Sequence, residues 1–369
     1  MSETKLYGVE GSYYTAKIRA YLMCKGIPFR EVSADRTAYA EQIIPRVGYS
    51  IVPVIVTADD ETLQDTADMI DYYEHRFHAP QLIPLGPRRW FASYLLELLA
   101  DEWIKLPALH YRWKYNRECA GEMMGRNNDP ELPKERQREI GEKIAKKFSA
   151  WPAHLGVTDS TQDAVEANYM ELLALLNKHF ETYFFVLGDV PSFADCALAG
   201  PLYAHSYHDP KSGELMRKHA PNVYAWAKRI RHVSPVSNSH SDTDDELPDS
   251  LVAILSHQAG DYVPVLMSAM PLLQAWLGNN PDKEIPLYAG KHKIVVGTGK
   301  PYEASGLRSI FTFEGWKVQR LMDRVQAQPV RAQQSICSLC TDIGIQDLYS
   351  LNFPNRIARR NFKLVHDVG

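Results

Sequence analysis

The sequence predicts an α/β domain with a mixed sheet, an all-helical second domain and a C-terminal extension of mixed α/β type. Three observations support this prediction. Strand and helix signals alternate over residues 1–79, helical periodicity dominates residues 88–235, and strand signals return within residues 236–369. A chain of 369 residues suits two or three domains with a sizeable core.

The first domain contains short elements in the order βαβαββα, which predicts a mixed sheet. Gly26 and Pro28 stop the first helix, and a polar turn at Asp59 and Asp60 joins two strands into a hairpin. The predicted elements are the strand 6–9, the helix 16–25, the strand 29–33, the helix 39–44, the strands 54–58 and 61–65, and the helix 66–77.

Apolar residues at helical spacing define the second domain, as in WFASYLLELLADEWIKL and EANYMELLALLNKHFETYFF. The polar, acidic stretch 237–250 then predicts a linker or loop. In the extension, residues 251–277 are helical, and Pro264 and Pro271 are expected to bend or break this helix. HKIVVG and LRSIFTF predict a hairpin, with helices running from it to an arginine-rich end.

Composition and charge indicate an ordinary globular protein in the cytoplasm. Apolar residues make up 45%, charged residues 23%, and the net charge is −4, so no overall basic excess predicts binding to nucleic acid. No signal peptide is recognisable, and no segment approaches the ~20 apolar residues that span a bilayer.

The five cysteines are too few for a disulfide framework. Cys337 and Cys340 lie in a helix-like stretch, where a buried or half-buried thiol pair is favoured over zinc, and we expect no metal site.

Two short segments of the first domain suit a peptide ligand. Proline at a strand start, as in Val52-Pro53, leaves the preceding backbone unpaired, and a cis bond there would turn the N–H and C=O of Val52 outward. An extended peptide could pair with those groups. Gln64-Asp65-Thr66 stands at a helix N-terminus, where free N–H groups suit a carboxylate and Asp65 suits an ammonium group. Asp65 is equally explained as the helix N-cap, and one residue can serve both purposes.

This succession of segments resembles the cytosolic glutathione transferases. The resemblance implies a thioredoxin-like first domain that binds glutathione as co-substrate. Val52, preceding Pro53, would pair with the cysteinyl part of glutathione, and Gln64, Asp65 and Thr66 would hold its γ-glutamyl end. In the second domain, Ser192-Phe-Ala-Asp195 is similar to the capping box of the family, which has a structural role.

The same resemblance places Ser12, in EGSYYTAKIR, where serine-type members keep the hydroxyl that activates the thiol. Tyr14 is the main rival for this role, because its hydroxyl lies in the same loop. No cysteine occurs there, which favours conjugation, addition or elimination over disulfide reduction. Many relatives have a lysine just before Val-Pro for the glycyl carboxylate of glutathione. Ile51 stands in its place, and Arg46 or Tyr49 are the available substitutes.

An electrophile site is expected in a cleft. Trp103, His110, Tyr111 and Trp113 are the candidate residues, although packing between domains explains such an aromatic group at least as well. The expected partners are therefore glutathione and a small apolar electrophile, in a homodimer without nucleic acid or membrane.

The expected activity is that of a glutathione transferase, which would fit a part in detoxification. A glutathione-dependent lyase, ether-cleaving enzyme or dehalogenase is an alternative with the same thiolate. A non-catalytic ligand-binding or interaction protein with this fold is another. The extension 236–369 resembles the tail of a group of long bacterial members, with a role that stays open.

Overall fold

The computed structural model describes residues 3–236 and 245–367. Most of the predicted linker, residues 237–244, lies outside the described residues. The chain forms two compact units. Unit 1 comprises Met1–Ile83, Ala108–Ala150 and Phe180–Ser241, and unit 2 comprises Pro84–Pro107, Trp151–His179 and Asp242–Gly369. These units cut across the predicted domains 1–79, 88–235 and 236–369, because segments of the helical region belong to each unit.

The N-terminal region follows the predicted βαβαββα order, with the second helical segment divided into short pieces. A π-helical turn, Tyr39–Ile43, separates two of those pieces. The elements are β1 Lys5–Gly8, α1 Tyr13–Lys25, β2 Arg30–Ser33, α2 Arg36–Ala38, α3 Ile44–Val47, β3 Val54–Val56, β4 Thr62–Gln64 and α4 Thr66–Arg76.

Every named secondary-structure element of the middle region is a helix, as predicted, apart from an isolated β-bridge between Phe185 and Gly188. A π-helix, Ala199–Tyr207, follows directly on one of them. The α-helices are α5 Pro87–Glu102, α6 Lys105–Tyr115, α7 Arg117–Asn128, α8 Lys134–Phe148, α9 Trp151–His154, α10 Gln162–Thr182, α11 Phe193–Leu198, α12 Pro210–His219 and α13 Pro221–Arg231.

The C-terminal region mixes helices with two hairpins. A 3₁₀-helix, Gln346–Ser350, precedes the second hairpin. The remaining elements are α14 Asp249–Asn279, β5 Tyr288–Val296, β6 Ala304–Phe311, α15 Thr312–Gln326, α16 Val330–Asp342, β7 Ile357–Arg360 and β8 Lys363–His366.

The sheet of unit 1 has the order β2-β1-β3-β4. β1 pairs with β2 in parallel, while β1–β3 and β3–β4 are antiparallel, so the predicted mixed sheet is confirmed. Leu6, Val54 and Ile55 of its two central strands are fully buried. Helix α1 begins at its N-cap Ser12 and ends at Gly26, whose φ of 69° is readily adopted by glycine.

The predicted capping box is present in unit 1, at the start of α11. One carboxylate oxygen of Asp195 accepts hydrogen bonds from the backbone N–H and the hydroxyl of Ser192, at 2.9 and 2.8 Å. Its other oxygen accepts from the Val186 N–H and from the indole N–H of Trp226. The box therefore joins α11 to α13 as well as capping a helix.

Unit 2 confirms the predicted β5–β6 hairpin and shows two features that the sequence did not predict. Helix α14 runs unbroken through Pro264 and Pro271, so the expected break is absent. Fifteen of its side chains are buried, all apolar except Gln258, Asp261 and Gln274, and burial of this largely apolar face outweighs the cost of about 3 kcal/mol for each proline. The β7–β8 hairpin lies in the arginine-rich end, where only helices were expected. Among the helices that the structure describes, none combines the length and apolar character needed to cross a membrane.

Candidate active site

Strand register brings three separate loops to one edge of the sheet in unit 1. Tyr7 pairs with Val54, and Val54 pairs with Gln64. Since β3 runs against both neighbours, the end of β1, the start of β3 and the end of β4 meet at this edge. The loop 9–12, called the Ser12 loop below, follows β1 there. The residues that this edge brings together are Ser12, Val52, Pro53, Gln64, Asp65 and Thr66.

Ser12 is half-buried and holds its hydroxyl in a defined position at the start of α1. Its Oγ accepts a hydrogen bond from the backbone N–H of Thr15 at 3.3 Å and another from the hydroxyl of Thr15 at 2.9 Å. A hydroxyl oxygen has two acceptor lone pairs and one proton. With both acceptor positions used by Thr15, the proton of Ser12 can be donated to a ligand beside the N-terminus of the helix.

Tyr14, the rival to Ser12, lies in the first turn of α1 and is half-buried. Its ring is tilted against that of Tyr13, with 5.2 Å between the ring centroids. Tyr13 is buried and meets the edge of the His205 ring, also at 5.2 Å. Both hydroxyl candidates therefore belong to the same turn, and the choice between Ser12 and Tyr14 stays a prediction.

Asp65 has an unusual backbone conformation at the start of α4. Its φ is 72°, in the left-handed region that is costly for most residues with a side chain, at about 1–3 kcal/mol. One carboxylate oxygen accepts from the Ala67 N–H at 2.8 Å, which confirms the predicted N-cap. The side chain stays half-buried, so its carboxylate can also meet a ligand.

Thr66 adds a polar group that lacks a hydrogen-bond partner among the described residues. The residue is buried, and its Oγ1 has neither solvent exposure nor a partner there. A buried hydroxyl without a partner is costly, by about 1–3 kcal/mol. A bound group that could donate to or accept from Thr66 Oγ1 would remove this cost, so the residue fits a ligand-binding role.

The segment before β3 carries the two residues considered as substitutes for the missing lysine. Tyr49 donates its hydroxyl to Gln64 Oε1 at 3.2 Å, which places it near the predicted peptide site. Arg46 forms an ion pair with Asp60 at 2.6 Å and donates to Thr62 Oγ1 at 3.2 Å. Tyr49 is thus next to a predicted binding residue, whereas Arg46 is engaged in the β3–β4 hairpin. The Val52–Pro53 bond is cis.

The four residues predicted for an electrophile site do not form one cluster within a single unit. Trp103 belongs to unit 2 and is buried against Tyr262, with ring centroids 5.6 Å apart. His110, Tyr111 and Trp113 belong to unit 1 and are also buried. His110 meets the edge of the Tyr111 ring at 5.5 Å. These surroundings suit the packing interpretation, and a role in substrate binding stays a prediction.

Cysteine residues lie apart from the Ser12 loop in sequence, and all five are free thiols. Cys337 is exposed and Cys340 is buried, so the predicted thiol pair is only partly buried. Burial raises the pKa of the Cys340 thiol to about 12. Within residues 3–236 and 245–367, no group of three or more His, Cys, Asp or Glu side chains could hold a metal ion.

Sequence reasoning missed Arg112, a buried residue of unit 1 that donates to the carbonyl of Gly11 at 2.8 Å. The contact reaches the Ser12 loop directly. One signal in the sequence was available, because Arg112 is a charged residue within the aromatic stretch ALHYRWKY. Its partners lie about a hundred residues away along the chain, so their identity was not visible in the local pattern.

Two family profiles match the chain. Residues 6–81 match "Glutathione S-transferase, N-terminal domain", and residues 140–233 match "Glutathione S-transferase, C-terminal domain". The predicted fold class is confirmed: a thioredoxin-like N-terminal domain and a helical domain, followed by an additional region with strands and helices. No curated protein sequence matches the chain significantly.

Several solved structures are similar to this chain at low identity. A glutathione S-transferase from Methylobacterium radiotolerans, in complex with glutathione sulfonate, is 16% identical with a TM-score of 0.40, covering 65% of this chain and 98% of its own. The Tau class glutathione S-transferase of mango is 16% identical with a TM-score of 0.40, covering 62% and 88%. The β-etherase LigF of Sphingobium sp. is 16% identical with a TM-score of 0.43, covering 62% and 95%. Likenesses at these TM-scores carry no inference about activity.

Proposed function

We propose that this chain is a glutathione transferase that acts on an apolar electrophile, because residues 6–81 and 140–233 match the N-terminal and C-terminal domains of the glutathione S-transferases. The reaction needs a thiolate, since the thiolate and not the thiol is the nucleophile. Glutathione supplies that sulfur, which forms a C–S bond while the leaving group departs with its electron pair.

The observation that carries the proposal is the paired acceptance of hydrogen bonds by Ser12 Oγ from Thr15. This arrangement leaves the hydroxyl proton of Ser12 for the sulfur. Lowering a thiol pKa by ~2 units requires about 2.7 kcal/mol. A charge-assisted hydrogen bond contributes about 1.5–3 kcal/mol, and a helix N-terminus about 0.3–1 kcal/mol. Ser12 and the start of α1 together are therefore sufficient.

Binding of the tripeptide uses the other two loops at the same edge of the sheet. The backbone of Val52 pairs with the cysteinyl part of glutathione, and Pro53 directly precedes β3. Asp65 attracts the ammonium group of the γ-glutamyl end, while the buried Thr66 hydroxyl gains a partner in its carboxylate. Gln64 completes this end. Tyr49 and Arg46 both stay candidates for the glycyl end, since the Tyr49 hydroxyl contacts Gln64, which we assign to the γ-glutamyl end, and Arg46 is paired with Asp60.

Assembly and location are part of the same proposal. We propose a homodimer in the cytoplasm, with a role in detoxification, on the basis of the same family matches. Light scattering of the purified chain tests the first point. A product analysis that finds a cleaved ether or a released halide, in place of a simple conjugate, would move the assignment to the lyase, ether-cleaving or dehalogenase alternative.

Calorimetric titration with glutathione tests binding, and thiolate absorbance as a function of pH tests activation. We expect saturable binding by the wild type. Ser12→Ala should bind glutathione but raise the pKa of the bound thiol by about 1–2 units. Ser12→Thr keeps a hydroxyl at the cap and is the matched control, and Tyr14→Phe tests the rival.

If the bound thiol keeps its wild-type, lowered pKa in Ser12→Ala but not in Tyr14→Phe, the activating role would belong to Tyr14. Failure of the wild type to bind glutathione at any pH would exclude the transferase function and favour a ligand-binding protein.

A further inference from the structure

Arg112 of α6 is fully engaged by its surroundings in unit 1. An arginine has five N–H donors in a fixed planar fork. Nε and Nη2 donate to the two carboxylate oxygens of Asp209 at 2.8 and 2.9 Å, and Nη2 also donates to the Ala204 carbonyl at 3.0 Å. Nη1 contacts the Gly11 carbonyl at 2.8 Å and His205 Nε2 at 2.7 Å. All five donors are used, so the guanidinium has one orientation.

The contact with His205 requires a neutral imidazole whose Nε2 accepts. Burial lowers the pKa of His205 well below its usual value, and the adjacent Arg112 charge lowers it further. Nδ1 then carries the proton and faces the Ala108 carbonyl at 3.4 Å. His205 thus accepts from Arg112 without competing for its acceptors.

The local backbone conformation leaves the carbonyl groups of Ala204 and Gly11 available as acceptors for Arg112. Ala204 lies in the π-helix, where altered hydrogen bonding can free carbonyl groups. Gly11 has a φ of 74°, and a Cβ there would come within 2.7 Å of Met123. Asn127 Nδ2 donates to the adjacent Glu10 carbonyl at 3.3 Å. Two consecutive carbonyls of the Ser12 loop are therefore held by the helices α6 and α7.

We infer that Arg112 is a positioning residue that holds the Ser12 loop, and with it Ser12 Oγ, at the place where the hydroxyl can reach the glutathione sulfur. This inference rests on the proposed function. Arg112 acts through the Gly11 carbonyl, one residue before Ser12, and has no direct part in the chemistry. A misplacement of about 1 Å at a reacting group can cost ~100-fold in rate.

Two variants distinguish positioning of the Ser12 loop by Arg112 from a general contribution of Arg112 to the stability of the fold. Arg112→Lys keeps the charge opposite Asp209 but cannot reproduce the five-donor fork. Removing Arg112 alone would leave Asp209 as a buried unpaired charge, so Arg112→Met is combined with Asp209→Asn to remove both charges. Lys25→Met is the control. It deletes another buried cation of unit 1, which pairs with Glu74 at 2.9 Å at the far end of α1.

The experiment measures glutathione affinity by calorimetry and the pKa of the bound thiol by thiolate absorbance. We expect both Arg112 variants to bind glutathione within about threefold of the wild type and to raise the bound-thiol pKa by about one unit. Lys25→Met should lose stability and leave that pKa unchanged.

Three results would overturn the inference. The first is a folded Arg112 variant with the wild-type thiol pKa. The second is an equal pKa rise in Lys25→Met, which would indicate a general loss of structure. The third is a wild type that does not bind glutathione, which removes the proposed function and this inference together, whereas the first two leave the proposed function in place.

Discussion

Arg308 and Glu314 form an ion pair of 2.7 Å in unit 2, and both side chains are fully buried. The same carboxylate oxygen of Glu314 accepts from the Tyr262 hydroxyl at 2.7 Å. The pair joins β6 to the start of α15 and connects both to α14. Taking two charges out of water is costly, so each of them depends on the other.

Arg308→Met should therefore lower the free energy of unfolding by about 3–5 kcal/mol, because it leaves Glu314 as an unpaired buried charge. Urea denaturation measures the loss. Arg136→Met, in the exposed pair with Glu139, is the control and should change stability by less than about 1 kcal/mol. Adding Glu314→Gln to Arg308→Met should recover part of the loss. Equal effects of Arg308→Met and Arg136→Met would contradict the prediction.

Thr15→Val should raise the pKa of the bound glutathione thiol by less than Ser12→Ala does. Valine keeps the shape of the buried threonine but removes the hydroxyl that donates to Ser12 Oγ at 2.9 Å. Ser12 Oγ then keeps only the hydrogen bond from the backbone N–H of residue 15. Thiolate absorbance against pH provides the measurement. Thr57→Val removes a hydroxyl that accepts from the Glu61 N–H in the β3–β4 hairpin and should leave the thiol pKa unchanged. A larger effect from Thr57→Val would count against the Ser12 assignment.

Asp65→Asn should weaken glutathione binding about ten- to hundredfold while changing stability by less than about 1 kcal/mol. Asparagine can accept from the Ala67 N–H and tolerates positive φ, so the substitution removes little besides the charge. Calorimetry and thermal unfolding test the two effects separately. Asp65→Ala loses the cap as well and should be less stable. Unchanged affinity in Asp65→Asn would show that the carboxylate serves only as an N-cap.

His292 should make unit 2 sensitive to acid. Burial, together with the charge of Arg308 opposite it on β6, lowers the pKa of His292 to about 4. An unfolded imidazole titrates near ~6.5. Between these values the unfolded chain binds a proton that the folded chain does not, so stability rises with pH. As the pH falls from about 6.5 toward 4 the folded chain is progressively destabilised, whereas above ~pH 7 the imidazole is neutral in both states and has no such effect.

Urea denaturation at several pH values checks this dependence. His292→Gln should flatten the pH profile between 4 and 6.5 relative to the wild type. Burial also lowers the pKa of His205 in unit 1, but His205 is present in both the wild type and His292→Gln. The difference between the pH profiles of these two proteins therefore reports on His292. The exposed His75 provides the control His75→Gln, which should follow the wild-type curve. Superimposed profiles for His292→Gln and the wild type would disprove the assignment.

Short-range patterns were sufficient for most elements. The β3–β4 and β5–β6 hairpins, the N-cap Asp65 and the capping box at Ser192 depend on residues a few positions apart, and the structure confirms them. Of the bend or break expected in α14, the break does not occur, because the buried face of the helix is a tertiary property that outweighs two prolines. The β7–β8 hairpin was missed because its four-residue strands carry little apolar alternation.

Val52 and Asp65 became candidates through proline and helix-terminus chemistry and Ser12 through the family resemblance, and the strand order places all three at the same edge of the sheet. Arg112 was not predictable, since its ion pair with Asp209 spans 97 positions. Trp103 and His110 are seven positions apart but belong to different compact units, and the local sequence pattern did not reveal the boundary between them.

The sequence by itself determined the fold class, the order of the elements in the N-terminal region and a few helix termini such as Gly26, Asp65 and Ser192, because propensity, capping and turn chemistry act over a few residues. Tertiary structure alone decided which charges are buried together, as with Arg112 and Asp209 or Arg308 and Glu314. It also decided that α14 continues through its two prolines. Those outcomes depend on desolvation and close packing between distant segments, and these energies exist only once the chain has folded.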